Sequence, residues 1–244
     1  MPGTLYLVGV DIGNREDVTL RARRILGEVD VVAVEEMAPC DRILNQLKIV
    51  PKAVVLFNEH NHESQVPLIL SWLQSGQSVA LMSDTGMPVM ADPGQDLVRL
   101  AAMQNIPIVP IPGVASMVAA LTVAGFRMHH FYYMGFLPRQ SEQRQQAFRA
   151  LVDEQLTTLV METPYRLSAI MDDLEAILPS RRMALAWNLT MQDEMILRGT
   201  PPEIKAQIVA LGLKKGEFVL VIEGIEPKPK VSKKDRYGLL RSDD

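Results

Sequence analysis

Hydrophobic residues along this chain fall into two kinds of stretch. Short continuous apolar runs, such as VVAV at 31–34 and VALM at 79–82, alternate with longer stretches in which apolar positions recur every three or four residues. Continuous runs suit strands buried on both faces, and the longer period suits amphipathic helices. The pattern predicts strands over Leu5–Val10, Asp30–Val34, Val54–Phe57, Val79–Met82 and Ile108–Ile111. Between them it predicts helices over Thr19–Leu26, Arg42–Lys48, Val66–Gln74 and Gln95–Gln104. Strictly alternating strands and helices imply a parallel, doubly wound α/β layer.

The pattern changes after PIPG at 110–113. A small-residue helix is expected over Ala115–Ala124, with further helices over Ser141–Val152 and Tyr165–Leu178. Strands are expected at Phe131–Met134, Thr157–Met161, Met183–Trp187, Met195–Arg198 and Phe218–Glu223. Consecutive strands with few helices between them point to a mixed, partly antiparallel sheet. The expected organisation is an N-terminal α/β domain over 1–113, a C-terminal α/β domain with a mixed sheet over 114–226, and a tail over 227–244. The tail is rich in Lys and Pro with little to bury, and is expected to be flexible.

Composition narrows the class. Hydrophobic residues make up 48% of the 244 positions and charged residues 22%, enough for a sizeable core. A net charge of −4 argues against a surface that is basic throughout, so any nucleic acid would need a local patch. The single cysteine, Cys40, forms no internal disulfide and fits a reducing cytoplasm. No apolar run approaches the roughly 18–20 residues of a membrane span, and the start MPGTLYLVGVDIGN does not read as a secretory leader.

Ligands of open α/β sheets sit beyond the carboxyl ends of strands where connections diverge. Three turn-rich segments fall at such ends: VDIGN at 10–14, SDTGMPVMADPG at 83–94 and PIPGVAS at 110–116. Glycine in each permits close backbone approach and proline fixes the turn. Neither a G-x-x-x-x-G-K-[ST] loop nor a G-x-G-x-x-G turn is present, which argues against a phosphate cradle. Apolar Met87, Val89, Met90, Val114 and Ala115, with acids Asp11, Asp84 and Asp92, would suit an uncharged heterocycle, ribose hydroxyls and a cationic centre. His60 and His62 in NEHNHE have too few companion ligands for a metal centre, so no metal is expected.

GTLYLVGVDIGNREDVTLRA, VALMSDTGMPVMADPG, VPIPGVAS, GFLPR and ETPYRL, in this order, resemble the tetrapyrrole methylase superfamily of S-adenosylmethionine-dependent methyltransferases. The likeness spans roughly residues 3–224 and is strongest to the branch that methylates the ribose 2′-hydroxyl of a cytidine in small-subunit rRNA. The resemblance implies two α/β domains, S-adenosylmethionine bound in the cleft between them, and a homodimer. It implies cofactor contacts from Ile12, from Thr85, Gly86, Met87 and Met90, from Pro112, Gly113, Val114 and Ala115, and from Met161, Ala186 and Glu217.

Methyl transfer to a hydroxyl benefits from a general base. Asp84, Glu35 and Glu36 are the leading candidates, with Asp11 and Glu162 also at the expected cleft. Asp11, Tyr165 and Arg166 are candidate substrate contacts. The chain reads VDIGN where the rRNA branch usually reads TPIGN, EEMA at Glu35–Ala38 where it reads EDTR, and AWNLT at Ala186–Thr190 where it reads ARELT. These departures keep two other readings open: an acceptor that is a tetrapyrrole or other small molecule, and a homologue that binds cofactor without turnover.

Overall fold

The computed structural model describes residues 1–226, and the expected flexible tail lies outside the described residues. The first half forms β1 (Leu5–Val8), α1 (Leu20–Glu28), β2 (Val31–Val34), α2 (Met37–Gln46), β3 (Val54–Leu56), α3 (His62–Gln74), β4 (Val79–Met82), α4 (Gln95–Met103) and β5 (Ile108–Ile111). Its five strands pair in the order β3-β2-β4-β1-β5, every pairing parallel. All four residues of β2 and of β4 are buried. That is why their sequences run apolar without alternating. On one face α1 and α2 pack Leu26, Ile43 and Leu44 against Val8, Val32 and Met82. On the other, α3 and α4 pack Ile69, Leu73 and Leu97 against Leu5, Ala33 and Leu81. Each such fully buried side chain contributes about 1.5–3 kcal/mol of transfer free energy.

The second half contains α5 (Ser116–Ala124), β6 (Phe131–Phe136), α6 (Ser141–Arg149), β7 (Thr157–Glu162), α7 (Leu167–Ile177), β8 (Met183–Trp187), β9 (Met195–Gly199), α8 (Pro201–Ala210) and β10 (Phe218–Ile222). These strands pair in the order β6-β7-β10-β8-β9; β6 and β7 are parallel and the other pairs antiparallel. The α5 helix covers one face through Ala120, Leu121 and Ala124, while residues of α6, α7 and α8 build the core on the other.

Helix α8 was missing from the sequence expectation. Its signals were present: Thr200 and Glu203 form a reciprocal capping box, with proline at the first turn. Several boundaries also differ, among them β1, which ends at Val8, and α3, which begins at His62; two have a local cause. α2 begins at Met37, five positions before the predicted Arg42, because Cys40 joins its buried stripe ahead of Ile43 and Leu44. Strand β6 runs on to Phe136, past the predicted end at Met134, by absorbing an irregularity between Tyr133 and Gly135.

Candidate active site

Strand order brings the three turn-rich segments together. Strand β1 lies between β4 and β5, so the loops leaving all three emerge side by side at their carboxyl ends. Backbone bonds then lace them. Val10 donates to the Gly86 carbonyl at 2.9 Å, Gly86 donates to the Asp11 carbonyl at 2.9 Å, and Gly9 donates to the Ile111 carbonyl at 3.0 Å. Gly86 has φ +70°, and a Cβ there would lie 3.2 Å from the Val114 carbonyl oxygen and 3.4 Å from Ile12 Cγ2. The positive φ favours glycine at this crossing of loops, and the Val114 carbonyl leaves little room for a side chain.

The second sheet supplies the opposing wall through its register. Met161 of β7 lies opposite Val219 of β10, and Val219 lies opposite Ala186 of β8. Directly opposed residues project to one face. Three positions far apart in sequence therefore form one row.

Between the two sheets lies a cavity of about 780 Å³, within the ordinary range for small-molecule sites. Ile12, Thr85, Gly86, Met87, Met90, Ala115, Met161, Ala186 and Glu217 line it. Pro112, Gly113 and Val114 do not. They stand behind the wall, where Gly113 packs on Gly9 and the Val114 carbonyl on Gly86. Further lining comes from Arg42, Asp92, Met117, Phe136, Glu162, Leu189 and Met191. Sequence reasoning assigned no site role to Arg42, Phe136 or Met191. Arg42 reads as an exposed helical charge, and Met191 reaches the site only through the loop after β8. Phe136 stood in view within the GFLPR motif.

The acidic candidates gather at the cavity's edge. Glu35 follows β2 and Asp84 follows β4, strands that pair directly. The Glu36 amide donates to Asp84 Oδ1 at 3.3 Å. Burial, then the charges of Asp92 and Asp84, push the Glu35 carboxyl up to about 7. Burial likewise raises Asp84 and the cavity-lining Asp92. Glu35, Glu36 and Asp84 themselves do not line the cavity.

Asp11 is 1% exposed, accepts the Gly13 amide at 3.0 Å and pairs with Arg15. Its environment ties down the first loop. Glu162 is 4% exposed and its Oε1 has no hydrogen-bond partner among the described residues, although Arg166 Nη2 lies 3.3 Å away as an ion pair. Arg166 also donates to the carbonyls of Leu137 at 3.0 Å and Pro138 at 2.6 Å. Tyr165 is 79% exposed beneath Lys215 and stands outside the cavity. His60 is exposed and His62 opens α3. Among the described residues no group of three or more His, Cys, Asp or Glu is placed to hold a metal ion, and no helix is long and apolar enough to cross a membrane.

Comparison with known proteins gives this architecture a family. A profile described as Tetrapyrrole (Corrin/Porphyrin) Methylases matches residues 4–205. The chain belongs to the tetrapyrrole methylase family. Its class of chemistry is thus methyl transfer dependent on S-adenosylmethionine. One relative, named ribosomal RNA small subunit methyltransferase I, from Micromonospora olivasterospora, is 41% identical over 91% of this chain and 71% of its own length. A protein of the same name from Halalkalibacterium halodurans is 40% identical over 93% of this chain and 79% of its own. Among solved structures, the uroporphyrin-III C-methyltransferase of Thermus thermophilus, complexed with S-adenosylhomocysteine, superposes with a TM-score of 0.60. It is 21% identical over 91% of this chain and 97% of its own. That likeness shows a shared methylase fold.

The residues present fit the cofactor. A glycine of positive φ opens the wall at Gly86, thioethers of Met87, Met90 and Met161 make it apolar, and neighbouring carboxyls favour a cation.

Proposed function

We propose that this tetrapyrrole methylase methylates a ribose 2′-hydroxyl of small-subunit rRNA. The single observation that carries the reading is the cavity between the two sheets, lined from three loops on one side and a cross-strand row on the other. Relatives named for small-subunit rRNA methylation, matched over most of this chain, support the acceptor class.

When bound, S-adenosylmethionine supplies an electrophilic methyl carbon attached to a sulfonium. Ile12, Thr85, Gly86, Met87, Met90 and Ala115 hold it from the first sheet, with Pro112, Gly113 and Val114 setting the third loop behind them. Met161, Ala186 and Glu217 close over it from the second. With the cofactor bound, the apolar walls would exclude water and orient the acceptor hydroxyl toward the methyl group, and positioning of this kind supplies much of the acceleration. Glu35, beside Asp84 and Glu36 at the cavity's edge, would take the proton of the attacking hydroxyl through one intervening water, since none of the three lines the cavity itself. Its raised carboxyl suits that task near neutral pH. Arg166 and Asp11 position the loops that face the acceptor, and Tyr165 meets RNA at the rim. We propose further that the enzyme works in the cytoplasm as a homodimer. Exposed Phe131 on the edge strand β6 and exposed Val118 on α5 support that reading.

The test has two arms. S-adenosylhomocysteine at a hundredfold excess over its Kd is expected to add about 2.7 kcal/mol to stability, seen as a rise in Tm of roughly 5–10 °C. Labelled methyl groups are expected to enter the rRNA of small ribosomal subunits and not porphyrinoid precursors. Transfer to the porphyrinoid instead would replace the acceptor; cofactor binding with no transfer to either would leave a binding protein.

A further inference from the structure

Phe136 is 47% exposed, yet it lines the cavity. An exposed aromatic ring at the mouth of an apolar site calls for a reason, and the chain spends three devices on holding it there. The first is a bulge. Strand β6 pairs Tyr133 with Leu159, then Gly135 with Val160 and Phe136 with Met161, leaving Met134 as the extra residue. In an uninterrupted register position 136 would lie opposite Glu162, and its side chain would project to the other face of the sheet. The inserted residue returns Phe136 to the row of Met161, Val219 and Ala186. Bulges beside active sites re-aim side chains in this way.

The second device is Gly135, whose φ of +72° lets the bulged strand turn without steric cost. The third is a clamp on the following turn. Arg166 donates to the Leu137 and Pro138 carbonyls and pairs with buried Glu162. Leu137, next to Phe136, is anchored in the core on the opposite face.

We infer that the Phe136 ring is the platform on which the nucleobase of the acceptor nucleotide stacks; this rests on the rRNA reading above. An unpaired base presents a π-face whatever its identity, and an aromatic side chain fixed at the site entrance holds it at low entropic cost. Stacking there would bring the attached ribose over the face that carries Met161, its cross-strand neighbour, and Val219 and Ala186 beyond it. Met90, 41% exposed and also lining the cavity, offers a second apolar surface at the entrance.

The experiment compares Phe136→Ala and Phe136→Trp with the unaltered enzyme. It measures methyl transfer to small-subunit rRNA, S-adenosylhomocysteine affinity by titration, and oligomeric state by sedimentation. Phe136→Ala is expected to lower kcat/KM for RNA about 10- to 100-fold, with unchanged cofactor affinity and oligomeric state, and Phe136→Trp to restore most of the loss. Full activity in Phe136→Ala overturns the inference while the rRNA reading stands. So does a parallel loss of cofactor affinity, which would make the ring a cofactor wall, a change of oligomeric state, or a failure of Trp to rescue. An unaltered enzyme that transfers nothing to rRNA removes the functional reading, and the platform with it.

Discussion

Gly9 and Gly113 touch backbone to backbone: a Cβ added at Gly113 would lie 2.5 Å from the Gly9 carbonyl carbon and 2.7 Å from its Cα. The contact joins the ends of β1 and its edge-strand neighbour β5. A Cβ at Gly9 would also strike Met87 of the second loop. All three loops are therefore keyed on this pair.

Gly113→Ala is expected to destabilise the fold by about 1–3 kcal/mol through overpacking, lowering Tm by roughly 2–4 °C per kcal/mol. Because the loops separate, S-adenosylhomocysteine binding should weaken as well. Thermal melts with and without the ligand check both. An unchanged Tm would mean that the loops yield freely here.

Gly86→Ala probes the conformation at the same crossing. The left-handed backbone costs an alanine about 1 kcal/mol or more, and its methyl would press on the Val114 carbonyl at 3.2 Å. Cofactor affinity is expected to fall about tenfold, the equivalent of 1.4 kcal/mol. Calorimetric titration measures it, and an unaltered Kd would remove Gly86 from the cofactor wall.

Glu35→Gln should move stability and activity in opposite directions. The folded carboxyl is raised from 4.5 to about 7. Between those values the folded state keeps a proton that the unfolded chain has lost, so stability falls as pH rises through the window. Removing the ionisable group is expected to raise Tm by about a degree or more near pH 8, with no gain near pH 4. The same change removes the proposed proton acceptor, so kcat falls and the limb of the pH profile near 7 disappears. A rate with its pH limb intact would reassign the base.

Away from the site, Arg144 and Asp173 form a buried pair at 2.5 Å, with side chains 8% and 9% exposed. Asp173→Ala leaves the guanidinium buried without its partner and is expected to cost about 3–5 kcal/mol. A double replacement by Leu and Met of similar volume should recover most of that in denaturant titrations. A single-substitution cost below 1 kcal/mol, on the order of an exposed pair, would show that water reaches the cation.

Much of the fold was readable from periodicity. The VVAV and VALM runs mark strands covered on both faces, and the stripes at Leu26, Ile43 and Leu97 mark the helices that cover them. Helix α8 escaped because its apolar residues do not fall into a single stripe: Ile204 and Ile208 are buried, while Val209 beside them is exposed. Only its cap announced it.

Local sequence by itself determined which segments are strands and helices, where the chain turns, and which loops carry glycine and proline at strand ends. These follow from rules acting over a few residues. Tertiary structure alone decided which distant positions meet. Setting β1 between β4 and β5 gathers three loops. The register of β7, β10 and β8 aligns Met161, Val219 and Ala186, and one extra residue in β6 turns Phe136 toward them. Pairing order and register are global choices, made by the packing of whole sheets, and no short stretch of sequence contains them.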